Sequence, residues 1–269
     1  MKIYFPQWQG SGTGIHIEPG AKAILDYLNN PTFLQIPLAT IAANSQEGKV
    51  YGIHNYNAIT EQLSRFKKIL EKENPTTLQT IGGDCGLEIV PVSYLNKKYP
   101  NLGVIWFDAH ADINKACDSA SCNFHGMPLR TLLGEGNHHM DDLLSTTINE
   151  SQIHYVGLRD IDTAEQIRIK KGNIYAPKKT NNANLVQTLK QKKITHLYLH
   201  FDFDSLEPKE YDKTYYQVPG GIGIKEAEDC IKILQDKFTI VGSSVLESIT
   251  TNVIELEPIN GIINLLMKK

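Results

Sequence analysis

The segment Val104-Ile-Trp-Phe107 is apolar at every position, so as a β-strand it would be apolar on both faces. Such a strand must be covered on both sides, which points to a parallel sheet between two layers of helices. Runs of related character stand at 76–83, 153–160, 195–206 and 238–248. Helical patterns lie between or beside them. Residues 58–73 carry apolar side chains at helical spacing with Lys and Glu opposite, and 88–99, 164–172, 182–193 and 223–237 read as further helices, the first of them started or broken near Pro91. Strands alternating with helices imply crossover connections, and these build a mostly parallel sheet. The expectation is a single domain over residues 1–269, an α/β fold with a three-layer α/β/α sandwich. Ligands of such sheets gather at the carboxyl ends of the strands.

The apolar run ends abruptly. Asp108, His110 and Asp112 follow Phe107 at every second position, and Asp202 and Asp204 repeat the spacing after another apolar run. "IGGDCG" adds Asp84 and Cys85, and "SVLES" adds Glu247. All four segments would bring these groups to the same edge of the sheet. Carboxylates packed together repel one another and raise one another's pKa values. A lone Asp-x-Asp is commonly a cap or a solvated pair, whereas two such pairs with an intervening histidine call for cations. Oxygen-rich donors with imidazole suit Mn²⁺ or another first-row divalent ion, and four carboxylates balance a dinuclear centre.

Composition removes several other classes. A net charge of −3 over 269 residues leaves no basic stripe for nucleic acid. No apolar run is long enough for a transmembrane helix, and "MKIYFPQWQGSG" does not read as a signal peptide. The four cysteines lack zinc-ribbon spacing, so reduced thiols in the cytoplasm are expected.

"GGDCG", "DAHAD", "SCNFHGMP" and "DFDSLEP" together resemble the signature blocks of the ureohydrolases, arginase and agmatinase among them, over roughly residues 80–250. The resemblance implies two Mn²⁺ per subunit and an assembly that is often a trimer or hexamer. By the same resemblance Asp108 and Asp202 would bridge the ions, His110 and Asp204 would complete one, and Asp112 and Cys85 the other. His125 matches a proton-shuttling histidine and Glu247 the acid that holds the guanidinium group; Asp204 is a further proton acceptor. Without the resemblance, His125 would read as a loop histidine held by hydrogen bonds.

The loop from Asp112 to Pro128 is similar in length to the arginase form, in which it binds a substrate carboxylate. Asn114, Ser121 and Asn123 fall on its binding positions. Asp162 and Glu165 match acids that contact an α-amino group, and they also have the spacing of a helix capping box. The resemblance therefore implies a guanidino amino acid as substrate, with agmatine, guanidinobutyrate and formiminoglutamate as the alternatives within the family. A degenerate, metal-poor binding protein is the alternative outside catalysis.

Departures from the pattern are informative. Cys85 stands where most of the family has histidine, as in relatives acting on Nω-hydroxy-L-arginine. It either coordinates as a softer, anionic donor or remains a buried thiol. Glu207 replaces the usual Asp, and "KTYYQVPGGIG" replaces the family's Gly-Thr-Gly-Thr-Pro stretch, so that Tyr215 and Tyr216 either reshape the pocket or pack as surface aromatics.

Overall fold

Seven parallel strands are ordered β2-β1-β3-β7-β6-β4-β5 across one sheet in the computed structural model, which describes residues 1–12, 14–39 and 48–268. They are β1 (Lys2–Phe5), β2 (Leu34–Gln35), β3 (Leu78–Gly82), β4 (Gly103–Phe107), β5 (Ile153–Val156), β6 (His196–Phe201) and β7 (Thr239–Val245). The helices are α1 (Gly14–Leu28), α2 (Tyr56–Glu73), α3 (Ile89–Lys98), α4 (Pro128–Leu132), α5 (Thr163–Lys171), α6 (Asn182–Gln191), α7 (Ile224–Lys237) and α8 (Asn260–Met267). Pro91 falls in the first turn of α3, where its missing N–H costs no hydrogen bond, so it starts the helix rather than breaking it.

Alternation along each strand divides the core. Val104 and Trp106 of β4 face α2 and α3, together with Phe5, Leu63, Phe66 and Tyr198. Ile105 and Phe107 face the opposite layer with Ile24 of α1, Leu189 of α6, Leu234 of α7 and Ile263 of α8. The three-layer expectation holds because both parities of β4 are apolar, and each fully buried large side chain there contributes roughly 1.5–3 kcal/mol.

The terminal elements are not evident from periodicity. β1 has four residues, and α1 contains Pro19 and Gly20, both poor in a helix interior. Tertiary packing supplies the reason for Gly20: a Cβ there would fall 1.8 Å from the Ser248 carbonyl oxygen. Gly83 is equally confined, since its Cβ would lie 1.7 Å from the Gln7 carbonyl oxygen. Gly83→Ala must push β3 away from the segment after β1. We expect a loss of about 1–3 kcal/mol, measured by urea denaturation.

Candidate metal centre

Four adjacent strand ends, those of β3, β7, β6 and β4, carry the candidate residues, at the place where the sheet order reverses direction. Backbone pairing runs up to the site residues themselves. Asp108 N donates to Val156 O (3.1 Å), Asp202 N to Phe107 O (2.9 Å), and Glu247 N to Gly83 O (2.8 Å). The functional side chains therefore start from a rigid edge. Arg159 extends this bracing: its guanidinium donates to the carbonyls of Gly157 (2.9 Å), Asp204 (2.7 Å) and Val218 (2.6 Å).

Asp112 and Glu247 both have left-handed backbone, with φ of 51° and 59°. That conformation is costly for side chains other than Gly, Asn and Asp, and it clusters at functional sites. At Glu247 it turns the side chain back under Cys85, whose backbone N–H donates to Oε1 (3.2 Å). The other oxygen, Oε2, is buried without a hydrogen-bond partner, as is Oδ2 of Asp112.

The groups converge on a cavity of about 280 Å³. Its floor holds Cys85, Asp108, Asp112, Asp202, Asp204 and Glu247, all at most 5% exposed. Asp204 accepts from Ala109 N (2.9 Å) and faces His110 Nδ1 at 2.9 Å. Asp202 accepts from Asp204 N (2.7 Å) and lies 3.4 Å from the Cys85 sulfur. Trp106 Nε1 donates to Asp108 Oδ2 (3.1 Å).

Electrostatics follow from this crowding. Burial, then the neighbouring acids, pushes Asp112, Asp202 and the Cys85 thiol well above their ordinary values. Burial and Asp108 likewise lift Asp204 to about 6. Asp108 is the exception: burial works to raise it, but the rings of His110 and His200 outweigh that and hold it low. Anionic donors gathered where anions are disfavoured, two with orphaned oxygens, fit a site for cations. Two donor groups have ligand atoms close enough for one ion each: Cys85, Asp108, Asp112 and His200, and separately Asp108, His110 and Asp204. Asp108 is common to both. A third grouping joins Cys85, Asp202 and Glu247.

His125 lies on the cavity wall, its Nδ1 3.5 Å from Glu247 Oε1. Burial would lower its pKa, but Glu247 outweighs this and the net shift is upward. At the rim, Asp162 and Glu165 form the capping box of α5. Asp162 also accepts from Asn114 Nδ2 (2.6 Å), while Asn114 Oδ1 is buried and unpaired. Ser121 lines the cavity. Asn123 does not; its amide donates instead to Ser11 O (3.0 Å). Asp84, beneath the site, accepts from Gly10 N and Gly86 N and so shapes the turn.

Sequence reasoning passed over Ser119, Asp160 and, above all, His200. Ser119 and Asp160 also line the cavity. His200 precedes Asp202 by two, on the same face of β6, so extending the Asp-x-Asp alternation backward by one step would have found it. Tyr216 lines the cavity, its ring centroid 5.4 Å from that of His125, whereas Tyr215 packs on Tyr216 and is 47% exposed. Glu207 accepts from the backbone N–H groups of Gly220 and Gly221, and so braces the loop that carries Tyr216. Among the described residues the four cysteines are unpaired, and no helix is long and apolar enough to cross a membrane.

A sequence model of the arginase family matches residues 21–251. An arginase of Staphylococcus aureus (strain MSSA476) is 32% identical over 225 residues, 80% of this chain and 74% of that protein. An arginase of Bacillus subtilis (strain 168) is 30% identical over 190 residues, 67% of this chain and 63% of that protein. Among solved structures, Entamoeba histolytica arginase in complex with L-ornithine superposes with a TM-score of 0.85 at 24% identity, covering 99% of this chain and 97% of that one. Bacillus caldovelox arginase gives 0.83 at 22% identity, covering 100% and 98%. The structural likenesses establish the fold; the sequence matches carry further.

Proposed function

Because the chain belongs to the arginase family, and is therefore a hydrolase acting on amidines, we propose that it cleaves the guanidino group of an L-arginine-like amino acid. Ornithine would be released with urea, or with hydroxyurea when the substrate is Nω-hydroxy-L-arginine. One observation carries this reading: Asn114, Ser121, Asp162 and Glu165 line the same cavity as the acidic floor. That arrangement offers polar partners for both an α-carboxylate and an α-ammonium group.

A pair of Mn²⁺ ions per subunit would be held by Cys85, Asp108, His110, Asp112, Asp202 and Asp204. When bound, such ions supply Lewis acidity and lower the pKa of water. The chain supplies the rest. Glu247 Oε2, buried and unpaired, accepts from the substrate guanidinium. Asp204 takes up the proton released on attack at the guanidino carbon. His125, with Nδ1 turned to Glu247, presents Nε2 to protonate the departing amine. Asp162, oriented by the capping box and backed by Glu165, receives the α-ammonium group. The loop after Asp112 receives the carboxylate, with Ser121 on the cavity wall as the donor, while Asn123 ties the loop to Ser11. Unpaired thiols suit the reducing cytoplasm as its place of work.

Steady-state kinetics with added Mn²⁺ on L-arginine, Nω-hydroxy-L-arginine, agmatine and guanidinobutyrate test the reading. Each charged head-group contact is worth roughly 1.5–3 kcal/mol, so kcat/KM for the better amino acid should exceed that for agmatine by about 10–10²-fold. Faster turnover of agmatine or guanidinobutyrate than of both amino acids would remove it. Cys85 favours the hydroxylated substrate as the better of the two, because an N-hydroxyguanidine loses its positive charge more readily and tolerates a less acidic water.

A further inference from the structure

We propose that His200 is itself a metal ligand of this chain, its Nε2 joining Cys85, Asp108 and Asp112 as donors to one ion, with Glu88 as the residue that positions the ring. The inference deepens the reading above and rests on it.

His200 has no solvent exposure, and its ring stacks on Trp106 with centroids 3.4 Å apart and planes 9° apart. The imidazole is thus locked in one plane. Its two nitrogens face opposite environments. Nε2 lies 3.6 Å from Asp108 Oδ2 and 3.8 Å from the Cys85 sulfur, whereas Nδ1 lies 3.5 Å from Glu88 Oε1. One ligand atom from each of Cys85, Asp108, Asp112 and His200 falls within 4.8 Å of every other. Donors set around a common centre at such separations can be drawn onto one ion by small side-chain movements.

The order carboxylate, imidazole, metal is the arrangement in which a ligating histidine donates its remote N–H to an acid that fixes its tautomer. Glu88 sits between the His200 ring and the Tyr198 hydroxyl, and neither neighbour is close enough to satisfy it. It is fully buried, and neither of its oxygens, nor His200 Nδ1, has a hydrogen-bond partner within normal reach. A carboxylate abandoned in the core is expensive. A cation on Nε2 makes the opposite N–H a stronger donor and draws the Glu88 contact tight. A plain buried imidazolium between Glu88 and Asp108 is the competing arrangement, but both separations exceed those of close charge-assisted hydrogen bonds.

Calorimetric titration of the metal-stripped, full-length chain with Mn²⁺ separates the two. For His200→Asn, one equivalent should weaken by about 10²-fold while the equivalent held by Asp108, His110 and Asp204 is retained; Glu88→Gln should weaken the same equivalent by roughly 10–10²-fold. Unchanged affinity for both equivalents in a folded His200→Asn protein overturns the proposal. Should that variant fail to fold, the wild-type chain still decides. Loaded with Co²⁺ and carrying ¹⁵N-histidine, it should show two paramagnetically shifted imidazole N–H signals. A single signal that disappears in His110→Asn overturns the assignment. Failure of the wild-type chain to bind any Mn²⁺ or Co²⁺ would sink this inference and the hydrolase mechanism together, whereas normal binding that ignores His200 sinks this inference alone.

Discussion

Stripped of divalent ions by a chelator, the protein is expected to lose all measurable hydrolysis and to become less stable the higher the pH. Asp84 and Glu165, lifted to about 7 chiefly by burial, and Asp204, lifted to about 6, hold protons in the folded state that the unfolded chain has already released. Wherever the native state binds more protons than the unfolded state, stability falls as pH rises. The decline should therefore run from the ordinary carboxylate range up to about pH 7, the folded value of Asp84. His110, raised by Asp108 and Asp204 against the effect of burial, continues the trend above it. His154, buried and neutral with its pKa down at about 3, opposes the trend on the acid side of its ordinary value.

Added Mn²⁺ should reverse the pattern, because the ions bind deprotonated ligands and gain affinity as protons leave. Each site should contribute about 2.7 kcal/mol when free ion is about a hundred times its dissociation constant. Thermal unfolding from pH 5 to 8, with and without Mn²⁺, gives the comparison. A metal-free protein that gains stability with pH, or one that Mn²⁺ does not stabilise, would contradict the cation-site reading.

His125→Asn should lower kcat by roughly 10²–10⁴-fold, the range for loss of a positioned acid or base, with KM much less affected. The ring lies 18% exposed on the cavity wall beside Glu247, with no donor group in the floor set. Its loss should therefore leave the Mn²⁺ stoichiometry as it was. The pH profile provides a second readout. Glu247 keeps His125 protonated above its usual range, so the wild-type rate should fall on the alkaline side as that proton leaves. The variant should lack this limb. An unaltered profile with unaltered kcat would make His125 a structural residue of its loop.

Much of the floor was legible from residue order because it depends on strand ends. An apolar run of both parities, as in Val104–Phe107, has to be a covered parallel strand, and whatever follows it emerges at the carboxyl edge. Asp108 was placed by that logic, and Asp202, Cys85 and Glu247 by the alternation of strands with helices; the registers of β3, β7, β6 and β4 bring them side by side. The capping box of Asp162 and Glu165 was legible for a similar reason: its reach is three residues.

What the linear order left open depends on contacts between segments distant in sequence. The direction of the Asn123 amide, turned to Ser11 rather than into the cleft, depends on where the chain after β1 passes. Tyr216 lines the cleft and Tyr215 does not, in a loop whose return is tied by Glu207 to the backbone of Gly220 and Gly221. The left-handed backbone of Glu247 and the burial of Glu88 behind His200 have no signature of spacing or composition. By itself the sequence specified a covered parallel sheet with acids along one edge, since periodicity and strand polarity are local properties of a chain. Only the tertiary structure decided which donors share a centre and which imidazole stands beside Cys85, because those distances are set by packing between strands far apart in sequence.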